Sequence, residues 1–220
     1  VQPDRCFCGR HVAIASCLAA LGLSVVLAVL SDGAHHDDDL THFLYAQWAL
    51  TKPAYLVHDW GRPGFTVLYC LPAQLGWTAA RIFSGVLTVL AAWLAYCTAA
   101  RVHLRAAWLV APLALLQPMF FQLGYTTLTE TAVASYVALA TWLLITQRFG
   151  LSALVFSLTI VTRHEAVVWL PIWAWAFWLG RARWWCYPLL LWAPVVHNLL
   201  APHLFGKTPI LLFLEPKTNT

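Results

Sequence analysis

Charge is scarce in this sequence. Asp, Glu, Lys and Arg together make up 10% of its 220 residues, where a soluble domain carries about 25%. So few charges cannot cover a water-soluble globule of this size. No basic run with interleaved aromatics occurs, so the formal net charge of +4 offers no phosphate-backbone surface, and no nucleic-acid partner is expected. The six cysteines show no zinc-ligand spacing. Cys17, Cys70, Cys97 and Cys186 lie inside apolar runs, where Cys behaves as a small hydrophobe. Cys6 and Cys8 stand too close together for an ordinary disulfide and lack a second ligand pair. Neither a metal centre nor a disulfide framework is expected. An initial Met is also missing, and residues 217–220 are polar with no terminating pattern, so part of a longer protein is expected, without its C-terminal portion.

What abounds is apolar: 61% of the residues are hydrophobic, with 13 Trp and a mean hydropathy of +0.70. Residues 12–30 form an apolar run of about twenty, enough to cross a bilayer. Arg5 and Arg10 precede it. The run is longer than the core of a cleavable signal peptide, which predicts an uncleaved anchor with its N-terminus in the cytoplasm. Further spans are predicted over residues 79–100, 106–121, 131–146, 151–161, 166–179 and 184–200. Pro112, Pro118, Pro188 and Pro194 within them are tolerable because neighbouring helices can satisfy the freed backbone groups. Residues 65–76 are apolar but short and contain Pro72, which predicts an interfacial or re-entrant helix. Leu40, Phe43, Leu44 and Trp48 recur at helical spacing and predict a short amphipathic helix on the membrane surface, ended by Lys52-Pro53. The fold class expected is therefore all-α, a polytopic transmembrane helix bundle forming one membrane-embedded domain over residues 1–220. An amphipathic juxtamembrane helix lies within its first extracytoplasmic loop, about residues 32–65.

Directly after the first span comes a polar knot, His35-His36-Asp37-Asp38-Asp39-Leu40-Thr41-His42. Adjacent carboxylates repel one another, and repulsion raises the proton affinity of at least one of them, which suits a base near neutral pH. The simpler role for these aspartates is to cap the following helix. A second polar stretch, His58-Asp59-Trp60-Gly61-Arg62-Pro63-Gly64, has its backbone set by Pro and Gly. Glu130 follows Thr126, Thr127 and Thr129, and Arg163-His164-Glu165 closes a short apolar segment. Glu130 equally suits a helix N-terminus, where the macrodipole favours an acid, and Arg163 with Glu165 could simply pair. His103, His197 and His203 stand alone and are expected to be structural or interfacial; residues 169–185 read as a lipid-facing Trp belt.

Counting spans places Arg5, Arg10, Arg101, Arg105, Arg148, Arg181 and Arg183 inside. Outside fall Asp32, Asp37, Asp38, Asp39, Asp59, Glu130, Glu165 and Glu215, every acid but Asp4. Arg62, Arg81, Arg163, Lys207 and Lys217 join that outer side. A cluster of both signs at a membrane surface suits a polar or phosphorylated ligand.

An ordered set of short motifs runs through residues 12–209. It comprises the anchor, the acidic knot, Phe43-Leu44-Tyr45-Ala46, Arg62-Pro63, Ala79-Ala80-Arg81-Ile82, Leu128-Thr129-Glu130 and Thr162-Arg163-His164-Glu165. That order resembles the GT-C superfamily of integral-membrane glycosyltransferases, above all the branch of protein O-mannosyltransferases and bacterial lipid A aminoarabinose transferases. The resemblance implies a polyprenyl-phosphate-linked sugar donor and a lipid, glycan or protein acceptor, with an extracytoplasmic active site beside the lipid bilayer. It places the general base among Asp37, Asp38 and Asp39, with Asp38 first, Asp39 second, and the register open. Arg62, Glu130, Arg163, His164, Glu165 and Lys207 are the substrate-binding candidates. Arg62, Arg163 and Lys207 would meet the charge of the leaving phosphate. His164 departs from the relatives, which often have Pro or Gly there. Oxygen-rich loops can also hold Mg²⁺ or Mn²⁺, so a divalent cation is left open and no metal ligand is assigned. The alternative is an ion- or proton-coupled transporter, which calls for ionisable groups at mid-membrane and paired discontinuous helices. Here the acids fall at span ends and no internal repeat is present.

Overall fold

A computed structural model describes residues 3–31 and 36–205, and every regular element among them is helical. The α-helices are α1 (Pro3–Leu30), α2 (Asp37–Trp48), α3 (Pro63–Tyr69), α4 (Trp77–Arg101) and α5 (Val110–Leu116). They continue with α6 (Pro118–Leu123), α7 (Thr129–Ile145), α8 (Phe149–Thr162), α9 (Leu170–Leu179) and α10 (Trp192–Phe205). Helix α4 packs between α1 and α7, α7 packs on α8, and α8 packs on α10. Short α3 wedges between α2 and α8. Two helices, Gly9–Leu30 and Trp77–Arg101, are long and apolar enough to cross a membrane.

The expected spans are helical, but several are interrupted. Residues 106–121 split into a 3₁₀ turn, α5 and α6. Pro118 has no N–H to continue α5, so Gln117 ends that helix and caps the next, its side chain accepting from the N–H of Phe120. The segments at 166–179 and 184–200 likewise open with 3₁₀ turns, at His164–Trp169 and Trp184–Cys186. Residues 65–76 form no span: α3 is followed by a 3₁₀ turn at Pro72–Leu75.

Helix α2 corrects the expectation in two ways. It starts at Asp37, three residues before the apolar stripe, because His36 caps it by accepting from the N–H of Asp38 at 3.2 Å. Its packed face is Asp39, His42, Phe43 and Ala46, while Leu40 and Trp48 stay exposed. The edge-on contact of Phe43 with Trp77 and the hydrogen bonds of Asp39 outweigh the apolar stripe in setting this rotation. The Trp belt is mixed too, since Trp173 is buried and stacked on Phe156.

Two close fits fix the end of the bundle that α2 covers. A Cβ on Gly64 would sit 2.1 Å from Thr162 Oγ1 and 2.7 Å from the carbonyl oxygen of Leu158, so only glycine lets α3 lie this near α8. The buried Tyr69 hydroxyl meets Ser84 Oγ at 2.7 Å and Thr131 Oγ1 at 3.2 Å, joining α3, α4 and α7.

Candidate functional site

Arg81 is the corner of this end. Sequence reasoning placed it among the outer cations, yet it is 2% exposed. Its Nε donates to the carbonyl of Tyr125 at 2.7 Å, and its Nη1 to those of Ser31 at 2.5 Å and Ala28 at 3.4 Å. The rings of Trp77 and Tyr125 each lie 5.9 Å from its guanidinium carbon. Backbone carbonyls and ring faces thus stabilise a cation that has no ion pair with an acid among the described residues, and the ends of α1, α4 and α6 are held together.

Asp39 ties α2 to this corner. It is 1% exposed, and its Oδ1 accepts from the N–H and the hydroxyl of Thr127, both at 2.5 Å. The same hydroxyl lies 2.6 Å from the Asp39 carbonyl. Having one proton, it serves one of these acceptors at a time. Asp39 is therefore a brace between α2 and the head of α7. Asp37 stays exposed. Asp38 keeps a half-exposed side chain, 49%, with His36 Nδ1 at 3.6 Å.

His42 sits one helical turn beyond Asp38 and is 6% exposed. Burial pushes its imidazole down to about 4; the charge of Asp38 opposes this and that of Arg62 reinforces it, with weaker upward pulls from Glu130 and Asp39. Its Nδ1 is buried with no hydrogen-bond partner among the described residues. The sequence placed His42 in the knot but gave it no role; the i, i+4 spacing from Asp38 was the available signal.

Arg62 reaches the same place from the second loop. Its backbone has φ 57° and ψ 90°, a left-handed conformation costly for a residue with a Cβ. Its Nη1 donates to His164 Nδ1 at 3.2 Å. With Nδ1 accepting, His164 is the neutral imidazole, and burial followed by the Arg62 charge lowers its pKa. Next to it, Arg163 Nη1 donates to Glu130 Oε1, and Arg163 Nε lies 3.6 Å from Glu165 Oε2. Glu165 is held below the usual carboxylate range, chiefly by its own backbone N–H and further by Arg163 and Arg62. The Arg163 and Glu130 side chains are 39% and 38% exposed, so solvent screens their attraction. The second oxygen of Glu130 is buried without a hydrogen-bond partner among the described residues. His197, expected to stand alone, is buried. Its Nε2 lies 2.9 Å from the Val57 carbonyl and 3.6 Å from Asp59 Oδ1, which fastens α10 to the second loop.

Below the Arg163–Glu130 pair opens a cavity of ≈ 750 Å³ between α4 and α7. Ala91, Ala95 and Ala99 line one wall, Ala134 and Ala138 the other, with Phe120 and Trp169 at the sides. It follows α7 from Glu130 to Thr141, about 16 Å at ~1.5 Å per residue. Its walls are apolar apart from Thr98, Thr141 and the charged pair at one end.

The structure thus brings together Asp37, Asp38, Asp39, Arg62, Glu130, Arg163, His164 and Glu165 at one end of the bundle. Lys207 lies outside the described residues. Among those described, no group of three or more His, Cys, Asp or Glu could hold a metal ion. No protein-family model matches the chain, and no curated protein or solved structure matches it either. The class that fold and site define is an all-helical protein with two membrane-length helices and a mixed-charge cluster above an apolar groove.

Proposed function

We propose that this chain is the membrane-embedded part of a glycosyltransferase of the GT-C kind, moving a sugar from a polyprenyl phosphate to an acceptor hydroxyl. The observation that carries the proposal is the joining of an apolar groove to a charged cluster at the Arg163–Glu130 pair. A lipid-linked sugar needs both parts in that order. Its isoprenoid tail takes the alanine-lined groove, its phosphate takes the arginines, and its sugar lies toward α2.

In this proposal the bilayer is crossed by α1, α4, α5 with α6, α7, α8, residues 166–179 and residues 184–200. Arg10, Arg101, Arg105, Arg148, Arg181 and Arg183 then mark the cytoplasmic side, and the cluster is extracytoplasmic. Asp38 is the general base, because its carboxylate is accessible while Asp39 is committed to Thr127. The acceptor hydroxyl gives its proton to Asp38 as its oxygen attacks the anomeric carbon. The bond from that carbon to the phosphate oxygen breaks, and the electron pair leaves on the lipid phosphate. Arg163 and Arg62 hold the new charge, and attack opposite the leaving group inverts the anomeric centre. Glu130 orients Arg163, and its second carboxylate oxygen is available to a sugar hydroxyl.

The test uses the full-length protein in liposomes with a polyprenyl-phosphate sugar as donor. Asp38→Asn should cut transfer at least ~100-fold with thermal stability unchanged, whereas Asp39→Asn should also lower stability by releasing Thr127. Full transfer by Asp38→Asn removes the base. Ion-coupled flux in liposomes lacking any lipid-linked sugar would instead favour a transporter.

A further inference from the structure

A second cavity, of ≈ 430 Å³, lies at the opposite end of the bundle and shares no lining residue with the groove of the proposed transfer site. It is lined by Arg148, Arg181 and Arg183 together with Gly150, Trp185 and Cys186. The two turns that form it are built alike. Gln147 follows the cap of α7 and Arg181 that of α9, with φ 61° and 54°. In each the next N–H reaches back over the turn, Arg148 to the Leu143 carbonyl at 2.8 Å and Ala182 to the Phe177 carbonyl at 2.9 Å. The turns also interlock: a Cβ on Gly150 would lie 2.8 Å from the Trp185 ring, and one on Gly180 2.6 Å from the Phe149 ring. Three arginines are thereby brought to the lining of one cavity.

Among the described residues no acid pairs with those cations. All three arginines are exposed, and every acid whose side chain is described belongs to the α2 end. Like charges gathered without an acid repel, so the cavity lowers its energy by taking an anion. Three forked donors suit the several oxygens of a phosphate better than a single carboxylate. Trp178 and Trp184 stand exposed beside the same turns, as aromatic residues do at a membrane interface.

We infer that this cavity binds the phosphate of an anionic phospholipid headgroup and clamps the α7–α8 turn to the segment that follows α9. The inference rests on the membrane-embedded half of the proposed function and is independent of sugar transfer. The test is native mass spectrometry and thermal unfolding of the full-length protein in neutral detergent, with phosphatidylglycerol, phosphatidylcholine or inorganic phosphate added. Phosphatidylglycerol should be retained and raise the melting temperature, and phosphatidylcholine should do neither. Each of Arg148→Gln, Arg181→Asn and Arg183→Gln should weaken retention about fivefold; Asn is used at 181 because it tolerates positive φ. Equal retention by wild type and all three variants overturns the assignment, as does equal binding of phosphatidylcholine. Equal stabilisation by inorganic phosphate overturns the lipid source. Sugar transfer by the same variants in phosphatidylcholine liposomes should persist, which separates a failure here from a failure of the transferase proposal.

Discussion

The two ends of this bundle treat arginine in opposite ways. Where α2 sits, Arg81 is buried among carbonyls, Arg163 is paired with Glu130, and Arg62 rests on His164. At the other end Arg148, Arg181 and Arg183 are exposed around a cavity with no acid beside them among the described residues. One end is cross-linked in three dimensions and holds charges and neutral imidazoles at set positions. The other leaves its charge unbalanced. A preorganised cluster of both signs suits a reaction in which charge moves from one atom to another. An uncompensated cluster of one sign suits capture of something that arrives already charged.

The sharpest way to break this contrast is to remove one arginine from each end. Arg81→Met strips the donors from three carbonyls, two of them at short range. Leaving those buried carbonyls unsatisfied, at about 1–3 kcal/mol each, should cost about 3–5 kcal/mol in all, or roughly 10 °C in melting temperature. Arg105→Gln, an exposed cation beyond the end of α4, should stay within about 0.5 kcal/mol. Equal losses, read by thermal unfolding in one detergent, would show that neither end is specially braced.

Acid should open the two ends unequally. Histidine in the unfolded chain titrates near 6.5, whereas buried His42 titrates at about 4, so between those values the unfolded state binds the extra proton. The stability owed to neutral His42 is complete above pH 6.5 and is lost as pH falls toward 4. By pH 4.5 the loss amounts to about 2–3 kcal/mol. Wild type should therefore lose more stability between pH 7.5 and 4.5 than His42→Gln, and amide exchange should rise first in α2. An identical pH dependence in the two proteins would mean that protonated His42 is accommodated at no cost.

Much of this was legible because a membrane-like chain has few options. Apolar length located the helices, and alternation of direction obliged the knot, Glu130 and Arg163-His164-Glu165 to share an end; the structure does bring them together. What escaped depended on partners distant in the chain. Asp39 looked like Asp38 until Thr127, 88 residues on, claimed its carboxylate. Arg81 looked like a surface cation because backbone carbonyls, which stabilise it, leave no mark in a side-chain pattern. His197 looked solitary for the same reason, its partner being the carbonyl of Val57. The groove left a faint trace: Ala91, Ala95 and Ala99 on α4 and Ala134 and Ala138 on α7 repeat every fourth residue, putting small side chains on one face of each helix.

The smallest expected effect separates strain kept for folding from strain kept for chemistry. Gln147 and Arg181 at one end and Arg62 at the other all adopt positive φ. At the first two, the left-handed residue ends a helix, a position where glycine serves as well. Gln147→Gly should stabilise by about 0.5–1 kcal/mol, the relief of Cβ strain exceeding the added chain entropy, and leave transfer unchanged. Arg62→Gly should relieve similar strain, since φ 57° with ψ 90° lies off the ordinary left-handed well. It also removes the guanidinium that faces His164 and the proposed phosphate, so transfer should fall although the fold is no weaker. Stability and activity measured together decide the matter. If Arg62→Gly retains full transfer, its strained backbone is a turn like the other two, and the arginine above it has no part in the reaction.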